Sequence, residues 1–75
     1  MQVKIIDTDD RLGVKAGEIY EAKRYRFDPH EKVELMARVP DGYDPLCTQY
    51  LESVLHMIGG KWHKIEDNRY VPVDA

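Results

Sequence analysis

One cysteine, one tryptophan and one phenylalanine are all that 75 residues supply of those types, and each scarcity removes a class of explanation. A lone Cys47 closes no internal disulfide, so the fold rests on packing and hydrogen bonds, as expected in a reducing compartment. No apolar run approaches the ~18 residues that read as a membrane-spanning helix. Met1-Gln2-Val3-Lys4 opens into a strand-like pattern instead of the charged and apolar regions of a signal peptide. These features lead us to expect a soluble, cytoplasmic protein with no membrane partner. Phosphate-cradling and dinucleotide glycine patterns are missing too, since Gly59-Gly60 suits a turn or a helix end and nothing more.

An excess of basic charge is also lacking. Eleven Lys and Arg stand against fourteen Asp and Glu, for a net charge of -3. Residues 1–40 balance eight against eight, whereas residues 41–75 carry three basic against six acidic side chains. Affinity for nucleic acid comes largely from neutralising phosphates, so this balance favours protein partners. A chain this short forms one domain, near the lower size at which a core holds without staples, and leaves little interior for a substrate pocket. The expectation is a non-enzymatic domain without a cofactor.

What is present is β-patterning. Val3 and Ile5 alternate with Gln2 and Lys4, and the strand stops in the polar Asp7-Thr8-Asp9-Asp10. Lys15-Ala16-Gly17-Glu18 forms a turn, and a second strand runs from Ile19 through Phe27. Because Tyr25 and Phe27 are out of phase with Tyr20 and Ala22, a β-bulge is expected near Lys23-Arg24. Asp28-Pro29-His30-Glu31 turns the chain, and Val33, Leu35, Ala37 and Val39 alternate with polar neighbours, completing a hairpin from Glu18 to Val39.

Two readings compete beyond Pro40-Asp41-Gly42. Asp44-Pro45 offers an N-cap and a first-turn proline, and Leu46, Tyr50, Leu51, Val54, Leu55 and Ile58 fall on one side of a helix from about Asp44 to Ile58, which Gly59 would end. Alternatively, 53–58 and 61–65 flank Gly59-Gly60 as a hairpin, setting Ile58 opposite Lys61, Met57 opposite Trp62 and His56 opposite His63. In both, Lys61 to Ile65 is a strand, and Arg69-Tyr70-Val71-Pro72-Val73 adds a last edge strand on which Pro72 is tolerated. The fold class is α+β or mostly β, with Ile5, Val33, Leu35, Leu55 and Trp62 in the core.

The order of a short strand, a polar loop, L-G-V-K-A-G-E-I-Y-E-A, a hairpin and G-K-W-H-K-I resembles the small SH3-like β-barrel proteins of phage and prophage genomes. The resemblance covers roughly the first forty residues and the Trp62 strand. It implies a binding module, one by which a phage modifies a host protein or a defence complex such as a CRISPR-type effector, in the manner of an inhibitor.

Several constellations invite chemistry and read more simply. Asp7, Asp9 and Asp10 lack the glycine and the distal glutamate of a calcium loop, leaving a solvated turn. His56 beside His63 would be half of a zinc site with no further ligands in sight, so both read as surface or edge histidines and no metal is expected. Cys47 reads as a structural thiol rather than a nucleophile. Partner binding is assigned to Asp41, Tyr43, Asp44 and Tyr50, in a loop where tyrosines offer contact area and acids complement a basic host or defence protein. The alternative is a nucleic-acid-binding barrel that uses Tyr20, Lys23, Arg24, Tyr25 and Arg26, aromatics interleaved with cations.

Overall fold

The computed structural model describes residues 1–73. The alternating segments form seven strands: β1 (Gln2–Ile5), β2 (Ile19–Arg24), β3 (Lys32–Val39), β4 (Gly42–Tyr50), β5 (Val54–Ile58), β6 (Lys61–Glu66) and β7 (Arg69–Pro72). A 3-10 turn, Leu51–Ser53, joins β4 to β5. Every neighbouring pair is antiparallel in one sheet of order β4-β3-β2-β1-β5-β6-β7. The mostly β expectation therefore holds. β4 and β7 are the two edges, and the sheet is not closed by pairing between them.

The core lies on one face of this sheet because side chains alternate across a strand. Register places Val3 opposite Tyr20 and His56, Ile5 opposite Val54, and Ala22 opposite Leu35. Val3, Ile5, Ala22, Val33, Leu35 and Val54 are buried on that face, with Val14 and Leu51 added from the connections. Val14 arrives by a bridge in the β1–β2 loop, where its amide and carbonyl both bond Asp9. The 15–18 turn forms as expected, with Glu18 N–H donating to the Lys15 carbonyl over 3.1 Å. Gly17 takes φ +87° there, a conformation that a Cβ would strain.

Five expectations are corrected. No helix forms over 44–58: 42–50 is an edge strand, and Gly59-Gly60 turns the β5–β6 hairpin in the register Ile58–Lys61, Met57–Trp62, His56–His63. The capping signal at Asp44-Pro45 is overridden because β4 covers β3, and Pro45 sits on the edge strand, where a missing donor costs little. The bulge lies not at Lys23-Arg24 but in β4. There Leu35 pairs with Cys47 and Met36 with Pro45, leaving Leu46 extra. β2 simply ends at Arg24, so Tyr25 and Phe27 escape the alternation, and Phe27 is 70% exposed.

Leu55 and Trp62 are not in the core but half-buried on the opposite face. Val54 and His56 take the inner positions of β5, which turns Leu55 and Met57 outward, and pairing with Met57 carries Trp62 outward as well. Lys4 Nζ rests over the Trp62 ring at 4.6 Å on that outer face.

Candidate functional site

Arg24 continues the inner row of β2 one step beyond Ala22, opposite Val33, and emerges where the buried face ends. Its guanidinium donates through Nη1 to the Pro29 carbonyl at 3.0 Å and through Nη2 to the Tyr70 hydroxyl at 2.9 Å. Tyr70, opposite Ile65 on the inner face of β7, is thus drawn toward β2. Its ring meets the His56 imidazole edge-on, with centroids 5.3 Å apart. The turn that brings β7 back is Asp67-Asn68, both residues at positive φ of 52° and 61°, the conformation of a tight two-residue hairpin.

A cleft of about 660 Å³ opens at this end of the molecule, between the 28–31 turn, the 3-10 turn and the β6–β7 hairpin. Leu51, Ile65 and Tyr70 supply its apolar lining, and Tyr50 and Ser53 border it. Four charged side chains surround it, Arg24, Arg69, Glu31 and Glu52. Among the described residues none of these four is ion-paired, whereas Lys23–Glu34, Lys64–Glu66, Arg11–Asp9 and the Met1 amine with Glu21 are.

His56 sits behind this cleft. It is only 2% exposed, contrary to the expectation of a surface or edge histidine. Nε2 donates to the Leu51 carbonyl at 2.9 Å, while Nδ1 has no partner among the described residues. Burial pushes its pKa below the usual 6.5 and Arg24 adds to that, against the raising effect of the Leu51 carbonyl. The ring is therefore a neutral donor. His63 lies opposite it in register but places its Nδ1 against the Lys61 carbonyl at 2.9 Å. Among the described residues no three His, Cys, Asp or Glu side chains gather to hold a metal ion.

The residues assigned to partner binding do not share one loop. Gly42–Tyr50 is extended, so Tyr43 and Tyr50 stand seven residues apart on one strand, roughly 23 Å. Asp41, Tyr43 and Asp44 are exposed together at the β3–β4 hairpin. Tyr50, 56% exposed under Lys32 Nζ, belongs to the cleft instead.

Strand alternation also scatters the nucleic-acid candidates. Tyr20 faces inward opposite Val3 and donates to Glu18 Oε1 at 3.2 Å; burial raises its pKa, as does Glu18. Lys23 faces outward, 3.7 Å from Glu34. Arg24 is committed to Tyr70 and Pro29, and Tyr25 and Arg26 both lie against Phe27 beyond the strand. Cys47 is half-buried with its thiol pKa pushed up by burial, against a lowering hydrogen bond from Gln49, which opposes thiolate chemistry.

Arg69, Tyr70 and the 3-10 turn were not singled out by sequence reasoning as a site. The signal that could have found them is Asp67-Asn68 between 61–66 and 69–72, a second hairpin turn that folds Arg69 and Tyr70 back toward the core. Comparison with known proteins finds no matching family model, no matching curated protein and no matching solved structure.

Proposed function

We propose that this chain is a non-catalytic protein-binding module that engages a partner with a basic surface through the β3–β4 end of the sheet. The observation that carries the reading is the make-up of β4. Tyr43 and Leu46 are 50% and 44% exposed on an edge strand, beside Asp41 and Asp44, whose carboxylates enter no ion pair among the described residues. A tyrosine with free acidic neighbours, Asp44 on the other face of the strand, supplies an anchor and long-range attraction at one end of the sheet. Backbone pairing is not the mode of contact, because Pro45 and the Leu46 bulge interrupt this edge, as Pro72 does on β7.

The order β4-β3-β2-β1-β5, with a 3-10 turn leading into β5, is compatible with the SH3-like reading, although the sheet is open and the β6–β7 hairpin extends it. The resemblance to phage barrels makes a host or defence protein the partner to seek, with the module acting as its inhibitor in the cytoplasm. Capture of partners from a bacterial lysate, with wild type and Tyr43→Ala as parallel baits, tests the reading. A partner held by wild type and lost by the variant supports it, and a partner indifferent to Tyr43 sinks it.

A further inference from the structure

The cleft beneath Tyr50 lies at the far end of β4 from that patch and is unused by it. Its volume of about 660 Å³ falls among ligand sites, which run roughly 300–1,000 Å³. The walls are held in place: Leu51 N–H bonds the Glu31 carbonyl at 2.8 Å, the Leu51 carbonyl is bonded by His56, and Arg24 ties the 28–31 turn to β7. Ordering of the protein on binding is therefore small, which favours affinity.

Charge decides what fits. Two guanidinium groups and two carboxylates border one cleft, and none is in an ion pair among the described residues, Arg24 holding Pro29 and Tyr70 through two of its five N–H donors. A phosphate or another polyanion would meet Arg24 and Arg69 but be repelled by Glu31 and Glu52. A purely cationic ligand has the opposite difficulty. A ligand bearing one charge of each sign satisfies both pairs, and an apolar group between them can lie on Leu51, Ile65 and the Tyr70 ring.

We propose that this cleft binds a short peptide segment of the partner in which a carboxylate and a cationic side chain flank an apolar or aromatic residue, the carboxylate meeting Arg24 and Arg69 and the cation meeting Glu31 and Glu52. The segment rests on the protein-binding reading and deepens it. The partner then presents a basic surface to Tyr43 and a mixed-charge segment roughly 23 Å away, at Tyr50.

The test uses the isotope-labelled full chain and the capped tripeptide acetyl-Lys-Phe-Glu-amide, followed by amide chemical shifts. Shifts at Leu51, Ser53, Ile65 and Tyr70 should saturate. The mixed peptide should bind at least roughly threefold more tightly than acetyl-Glu-Phe-Glu-amide or acetyl-Lys-Phe-Lys-amide, the scale of one or two exposed ion pairs. Arg69→Gln and Glu52→Gln, both exposed and outside the core, should each erase most of that preference without changing the remaining spectrum. Equal binding of the acidic peptide, equal binding of the basic one, or no shifts in the cleft at the solubility limit would each overturn the proposal. Failure here with Tyr43 still essential for partner capture removes the cleft alone. Mixed-charge selectivity with Tyr43 dispensable removes the β3–β4 surface instead.

Discussion

Arg24 and Tyr70, the second strand and the seventh, are joined by a hydrogen bond of 2.9 Å although β1, β5 and β6 lie between their strands in the sheet. In a flat sheet those strands would stand roughly 19 Å apart. The sheet must therefore coil strongly, as the right-handed twist of its strands allows. The Arg24 side chain, long and planar at its end, spans what remains and also fixes the Pro29 carbonyl.

Loss of this link should loosen the β6–β7 hairpin. Tyr70→Phe keeps the ring against His56 but removes the acceptor, and should cost about 0.5–1.5 kcal/mol. In a domain this small that lowers the melting midpoint by several degrees, read by thermal denaturation. Arg24→Leu should cost no less, because the Pro29 carbonyl loses its donor too. Unchanged midpoints in both variants would mean that the hairpin docks without this bond.

The buried imidazole of His56 makes stability depend on pH. Its folded pKa is depressed below 6.5, so between the two values the unfolded chain binds the extra proton. Stability from this group is present above about pH 6.5 and is lost as pH falls through the folded pKa. Urea midpoints measured from pH 8 to pH 5 should hold level, then decline below that point. In His56→Leu the decline should flatten, while stability at pH 7.5 falls because the Leu51 carbonyl loses its donor. A decline of equal steepness in the variant would assign it to other groups.

The hairpins were legible in the sequence where local chemistry and alternation agree. Asp28-Pro29 turns the chain and Val33 and Leu35 alternate without interruption, so the β2–β3 pair follows directly, whereas Gly59-Gly60 allowed the 56–63 register without deciding between it and a helix. The segment 44–58 was ambiguous for a physical reason: Leu51, Val54 and Leu55 satisfy a helical spacing, while only packing against β1 determines that Val54 and His56 face inward. That single choice of phase also moves Leu55 and Trp62 outward. The cleft was legible only in part. Arg24 and Tyr50 were singled out, but their meeting with Tyr70 depends on sheet coiling and on an Asp67-Asn68 turn, neither of which alternation reports.

Trp62 and Leu35 should consequently respond very differently to truncation. Leu35 is fully buried, and Leu35→Ala should cost about 2–5 kcal/mol, a large share of so small a domain's stability. Trp62→Ala on the outer face should cost clearly less and leave a cooperatively folding protein. The native indole should also be quenched by acrylamide, since Lys4 covers it only from one side. A Trp62→Ala chain that fails to fold would place the ring back in a core role.

The interface at the β3–β4 end predicts a division between anchoring and steering. Tyr43 is half exposed and supports nothing in the core, so Tyr43→Ala should leave the denaturation curve unchanged while weakening partner binding by at least about 2 kcal/mol, mainly through faster dissociation. Asp41→Ala and Asp44→Ala should act on the other rate, slowing association at low salt, with the difference vanishing as screening shortens the reach of their charge. Surface plasmon resonance at two ionic strengths separates the two effects. If binding survives all three changes and is abolished by Arg24→Ala or Arg26→Ala, the partner sits at the opposite end of the molecule, and the acidic patch only solubilises the edge strand.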